Sequence, residues 1–185
     1  MKSDKIKQFM ALAGQRISLE FGTGSIETRK LGAQLLLSEV LEYVICGLGI
    51  EPEFRGVKIT EPNQLSYHES KNQPSRLDML DGLADVAYTM YWNAEAFGVP
   101  LERGFELVCD NNLEKFVELK NWKGGTGPLD PEEWHCGKSI EWPKEVVSVQ
   151  VVEYLDRVFA VGKDLHGKVR KPSSYRTVNL EGLLS

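Results

Sequence analysis

Apolar residues recur at helical spacing over much of this chain. Ile6, Phe9, Met10 and Ala13 lie on one face of a short segment that predicts a helix over 4–13, stopping near Gly14. A loop containing FGTGS follows, then a second helix over about 28–48 that ends at GLG, where glycine is a common stop. Residues 49–75 hold Pro52, Pro62, Pro74 and Gly56 among polar neighbours and read mainly as loop; a strand at GVKIT is allowed but not required. Leu77, Leu80, Ala84, Ala87, Tyr91 and Ala94 form one stripe, predicting a helix over 75–97. Another helix is expected over 100–119, with Pro100 in its first turn.

Residues 120–142 are rich in glycine and proline and begin irregularly. Over 143–161, Val146, Val147, Val151, Tyr154, Leu155 and Val158 can line the buried side of an amphipathic helix. The run VVSVQVV opposes that assignment, because β-branched residues lose rotamer freedom in a helix. The tail from 164 reads as basic, polar and extended. The expectation is an all-α fold, a packed bundle of four to five helices in one domain, with an insertion at 117–163 and an extended basic tail at 164–185.

Composition narrows the classes. The 185 residues are 42% hydrophobic and 26% charged, and 22 Lys+Arg face 27 Asp+Glu for a net charge of -5. That balance opposes a nucleic-acid polymer partner held through a broad basic surface. No signal peptide is visible, and no run reaches the ~18 apolar residues of a membrane span. Cys46, Cys109 and Cys136 are scattered and suit neither structural zinc nor a disulfide framework. The expected location is the cytoplasm.

The chemistry is concentrated in acids. In LLLSEVLEYV, Glu39 and Glu42 stand three apart, so a helix places both carboxylates on one face a turn apart. In LDMLDGLADVAY, Asp78, Asp81 and Asp85 repeat the arrangement on the next long helix. A single acidic stripe is most often a solvated face, but two in succession, each inside an apolar helix, suggest a shared task. If the helices pack together, Glu39, Glu42, Asp81 and Asp85 converge, and four carboxylates need a divalent cation to offset their repulsion. An all-oxygen donor set selects hard ions, Mg²⁺ or Mn²⁺, which take phosphate oxygens as further ligands.

These residues resemble a family. Glu39-x-x-Glu42 followed by LDGLADVAYTMY is similar to the pattern of the all-α NTP pyrophosphohydrolases, the MazG-like superfamily. IKQFMALAGQ, AQLLLSEVLEYVICGLGIE, FELVCDNNLEKF and GKVRKPSSY resemble blocks of its phage and bacterial Cof-like, phosphoribosyl-ATP pyrophosphohydrolase-like branch, covering most of 4–119 and 164–178. The resemblance implies packed helices assembled as a homodimer or homotetramer with sites near subunit interfaces. It also implies hydrolysis of a nucleoside triphosphate between the α and β phosphates, with dGTP or dATP as the first substrate expectation. Glu39, Glu42, Asp81 and Asp85 are then the catalytic metal ligands. Two positions depart from the pattern: Gly82 occupies the place where many members carry the fourth acid, and Ser38 stands where relatives often have a further glutamate.

Other groups have both functional and structural readings. Asn112 and Lys115, in an Asn-x-x-Lys arrangement, match a family element serving phosphates or sugar, or are ordinary polar residues of a surface helix. Lys168, Lys171 and Tyr175 lie in GKVRKPSSYR, the densest basic stretch, which can close over phosphates or be a solvated tail. Gln15 can read a base edge or simply end a helix. His68, His135 and His166 are isolated. Trp122, Trp134 and Trp142 form either a stacking lid or packing for the insertion. Two rival functions remain open: a house-cleaning pyrophosphohydrolase for non-canonical nucleotides, and a non-catalytic helical protein that binds nucleotide or regulates.

Overall fold

The structure, a computed structural model, describes residues 2–137 and 139–184. Among them are four α-helices: α1 (Lys2–Leu12), α2 (Ile26–Glu42), α3 (Arg76–Phe97) and α4 (Leu101–Leu113). The expected helices at 4–13, 28–48 and 75–97 are therefore present, with α2 passing at Tyr43–Gly47 into one wider π-turn. No helix among the described residues is long and apolar enough to cross a membrane.

The all-α expectation is wrong, because the chain also forms two antiparallel sheets. One is a small hairpin of β1 (Glu53–Phe54) and β2 (Val57–Lys58). The other has four strands in the order β3-β6-β5-β4, built from β3 (Val117–Glu118), β4 (Gly127–Pro128), β5 (Val146–Tyr154) and β6 (Arg157–Asp164). The expected helix over 143–161 is the β5–β6 hairpin, and the helix expected to reach 119 ends at Leu113 so that the chain can enter β3.

Side-chain alternation explains the sheet. Val158, Ala160 and Gly162 of β6 face one side, while Phe159 and Val161 face the other. Both faces are covered, so the strands read as a near-continuous apolar run, not as a polar–apolar alternation. On one face Val149, Val151 and Ala160 pack with Leu119 and Cys136, roofed by Trp122, Trp134 and Trp142. The three tryptophans are thus packing for this face, and the segment read as an insertion supplies much of the core. On the other face Phe159 and Val161 meet Leu12 and Ala13 from the end of α1, with Phe116 edge-on to Phe9 at 5.1 Å. Between β5 and β6, Tyr154 pairs with Arg157, and Leu155 and Asp156 both adopt positive φ, 49° and 58°. This is the two-residue turn whose twist suits a hairpin, made here without glycine or asparagine.

Two compact units result. One comprises 1–18 with 89–185 and contains the large sheet; the other is 19–88, with α2, the small hairpin and the first half of α3. In the second unit only Leu41 is buried. Its helices leave Leu35, Leu36, Val40, Leu77, Leu80 and Leu83 exposed, Leu77 at 74% and Leu83 at 63%.

Candidate functional site

The acids lie on the two helices of the poorly covered unit. Glu39 and Glu42 occupy the last turn of α2, whose start is capped by Ser25 accepting from the Thr28 N–H at 3.2 Å. Asp78 sits in the first turn of α3, where a negative charge is favoured by the helix dipole, and its N–H donates to Ser75 Oγ at 3.2 Å. Asp81 and Asp85 follow on the same helix, and all five carboxylates are exposed.

Within one chain the quartet does not converge. α2 and α3 are not packed along one another, and among the described residues no three His, Cys, Asp or Glu side chains gather closely enough to hold a metal. The donor chemistry still suits a hard cation, but one chain does not assemble the site. The surroundings of Ser38 and Gly82 are also defined. Ser38 Oγ donates to the Leu35 carbonyl at 3.1 Å, so this hydroxyl is engaged within its own helix. At Gly82 an added Cβ would meet nothing within 4 Å, so α3 presents open space there.

The expected substrate-binding residues lie in the other unit, and several meet. At the end of α4, Lys115 Nζ donates to Asn112 Oδ1 at 2.7 Å and lies over the Phe9 ring at 5.6 Å. The neighbouring Asn111 is buried; its Nδ2 donates to the Arg176 carbonyl at 2.5 Å and its Oδ1 accepts from the Tyr175 hydroxyl. Lys171 Nζ rests over the Tyr175 ring at 4.7 Å, and the Arg176 N–H reaches Glu114 Oε2 at 3.4 Å. Asn111 thereby fastens the tail to α4 and brings Lys171 and Tyr175 to the helix end that carries Asn112 and Lys115.

Lys168 belongs to a separate turn organised by Asp164. This buried carboxylate accepts from the His166 and Lys168 N–H groups, each at 2.9 Å, and from Arg170 Nε at 2.9 Å. Burial alone would raise its pKa, but those donors and the Arg170 charge outweigh it and hold the carboxyl below its usual range. Gln15 is exposed just beyond α1, its N–H bonded to the Met10 carbonyl at 2.8 Å. The Cβ position of the preceding Gly14 is 3.4 Å from Lys163 Nζ, whose pKa is pushed down by partial burial. His68, His135 and His166 are all exposed.

Sequence reading missed Asn111, Asp164 and Lys163. Asp164 had a local signal in DLHG, an Asx residue ahead of a glycine turn. Nothing distinguished Asn111 from Asn112 except which side of α4 the returning tail covers.

Compared with protein-family models, with curated proteins and with solved structures, the chain matches none.

Proposed function

We propose that this protein is a nucleoside triphosphate pyrophosphohydrolase whose acidic site is completed between copies of the chain. The observation that carries this reading is the coincidence of two features on the same helices. α2 and α3 hold the acids Glu39, Glu42, Asp81 and Asp85, and they also expose leucines that a single chain leaves in water. Large apolar side chains left exposed along two helices suit an interface with another copy. Association of two or more copies through it would draw the acid-bearing helices together in water-excluded surroundings.

Glu39, Glu42, Asp81 and Asp85 would hold Mg²⁺ or Mn²⁺, which would neutralise the triphosphate and lower the pKa of bound water. The chain's own contribution is the carboxylate arrangement, with one of these acids available as proton acceptor. Asn112, Lys115, Lys168, Lys171, Tyr175 and Gln15 are the proposed substrate-binding groups. Two lysines beside amide and phenol groups at the α4–tail junction suit phosphate and sugar oxygens. The substrate proposed first is dGTP or dATP, and a housekeeping enzyme for non-canonical nucleotides would use the same groups with broader base preference.

Product chromatography tests the proposal. Each common NTP and dNTP is incubated with the protein and Mg²⁺ or Mn²⁺, beside a chelator control and Glu42→Gln. The expected products are monophosphate and pyrophosphate, abolished by chelator and variant, from a protein that sediments as a dimer or tetramer. A monomer without turnover would sink the proposal. One observation favours the binding-protein alternative: Ser38 spends its hydroxyl on its own helix and does not replace the family glutamate. Saturable nucleotide binding without pyrophosphate release would establish that alternative.

A further inference from the structure

Between the first half of α2 and the loop at 66–74 lies a cleft of about 490 Å³. This volume falls in the range of small-molecule sites, roughly 300–1,000 Å³. Its lining is cationic in an acidic protein: Arg29, Lys30 and His68 face it, with Glu69 as its acid. Arg29 is held in place, one Nη donating to the Gly24 carbonyl at 2.9 Å and the other to Glu69 at 3.2 Å. The Lys30 ammonium makes no hydrogen bond or close ion pair among the described residues, and the acid whose charge it touches is Glu27, one turn back. His68 Nε2 is within 3.3 Å of Ser66 Oγ, which leaves Nδ1 for another partner. The half-buried Tyr67 and the Asn72 amide add a ring face and a hydrogen-bonding edge.

The cleft is separate from the proposed hydrolytic acids. Lys30 and Glu39 are nine residues apart on one helix, as are Ala33 and Glu42. That spacing is about two and a half turns, so the cleft-lining residues and the acids lie on opposite faces of α2. We propose that the cleft binds the phosphate group of a small phosphoester of mononucleotide size. Arg29 and Lys30 neutralise the phosphate, His68 donates to it, and Tyr67 and Asn72 contact the organic part. A fixed guanidinium beside an ammonium that makes no hydrogen bond suits a phosphate dianion: the first supplies geometry and the second supplies charge.

The test is calorimetric titration of the full chain with dGMP and, separately, with inorganic phosphate, while the His68 ring resonances are followed by NMR. Saturable binding that shifts His68 is expected. It should weaken about tenfold or more in Lys30→Glu and in Arg29→Gln, the loss of one charged hydrogen bond. Glu42→Gln should bind unchanged even where it abolishes pyrophosphate release, so failure of the hydrolase reading and failure of this one are distinguishable. Tighter binding of dGMP than of phosphate identifies a phosphoester, and equal affinity identifies free phosphate as the source. No saturable response to either probe, or a response that Lys30→Glu leaves intact, overturns the proposal.

Discussion

Replacing Gly162 with alanine sets two expectations of opposite sign against each other. In a strand, glycine is entropically poor, and alanine would ordinarily add about 0.5–1 kcal/mol. Here Gly162 is paired with Val149 in the middle of the β5–β6 ladder and lies under the Trp142 indole. A Cβ built at Gly162 would fall 2.7 Å from Trp142 Cζ3 and 3.0 Å from Cδ2, and closer still to Cε3. The ring cannot retreat freely, because Trp142 Nε1 donates to the Trp134 carbonyl at 2.9 Å and the indole packs on the buried face of the sheet. Overpacking costs about 1–3 kcal/mol, and a strained or lost indole hydrogen bond adds about 1 kcal/mol or more. Less the backbone gain, Gly162→Ala should destabilise by about 2–3 kcal/mol. At about 2–4 °C per kcal/mol for a chain of this size, Tm should fall by roughly 4–12 °C. Thermal melts followed by tryptophan fluorescence and far-UV circular dichroism would measure it. The same substitution made in Trp142→Leu should lose most of its cost, which a double-mutant cycle resolves. An unchanged or raised Tm for Gly162→Ala would refute the packing argument and with it the position of Trp142 over the sheet.

Other perturbations probe the turn, the tail and the acid range. Leu155→Asn with Asp156→Gly gives the β5–β6 turn residues that tolerate positive φ, and should raise stability by about 1 kcal/mol in urea titrations. Asn111→Ala removes the acceptor of the Tyr175 hydroxyl and the donor to the Arg176 carbonyl, so it should cost about 1–3 kcal/mol and speed tryptic cleavage at Arg176. Asp164 has a folded pKa below its unfolded value near about 3.9, so its contribution is present above that value and is lost as pH falls through the folded pKa. Asp164→Asn should therefore flatten the acid limb of the stability-against-pH curve below about pH 4, with little change in its shape above pH 5.

Four helices were legible in the sequence because each carries its own evidence, although α4 ends at Leu113, short of its expected end near 119. α1 and α3 show apolar residues at steps of three and four, and α2 and α3 also space their acids that way. The large sheet was not legible, for two reasons. Its central strands are covered on both faces, so Val146 to Val152 lose the period-two alternation that marks a half-exposed strand. Its hairpin turn is Leu155-Asp156, which lacks the Asn-Gly or Asp-Gly signal, so the run could be fitted to a helix by placing Val151, Tyr154, Leu155 and Val158 on one side. The β-branched residues carry the strand signal in this run, and their packing on the sheet overrides its helical spacing.

The candidate site divides in the same way. Helical spacing alone puts Glu39 beside Glu42 and Asp81 beside Asp85, because i, i+3 and i, i+4 geometry is a property of the local backbone. Convergence of the two pairs is a property of surfaces, and one chain leaves α2 and α3 unpacked. Asn111 likewise gains its role only because the tail returns to α4 across many intervening residues. The sequence by itself determined the four helices, the acidic stripes and the basic tail, all of which follow from neighbours within a few residues. Tertiary structure decided the sheet, the burial of Asn111 and Asp164, the cleft beside Arg29 and the separation of the acid pairs. These depend on which distant segments compete to cover apolar surface, and no local spacing records the result.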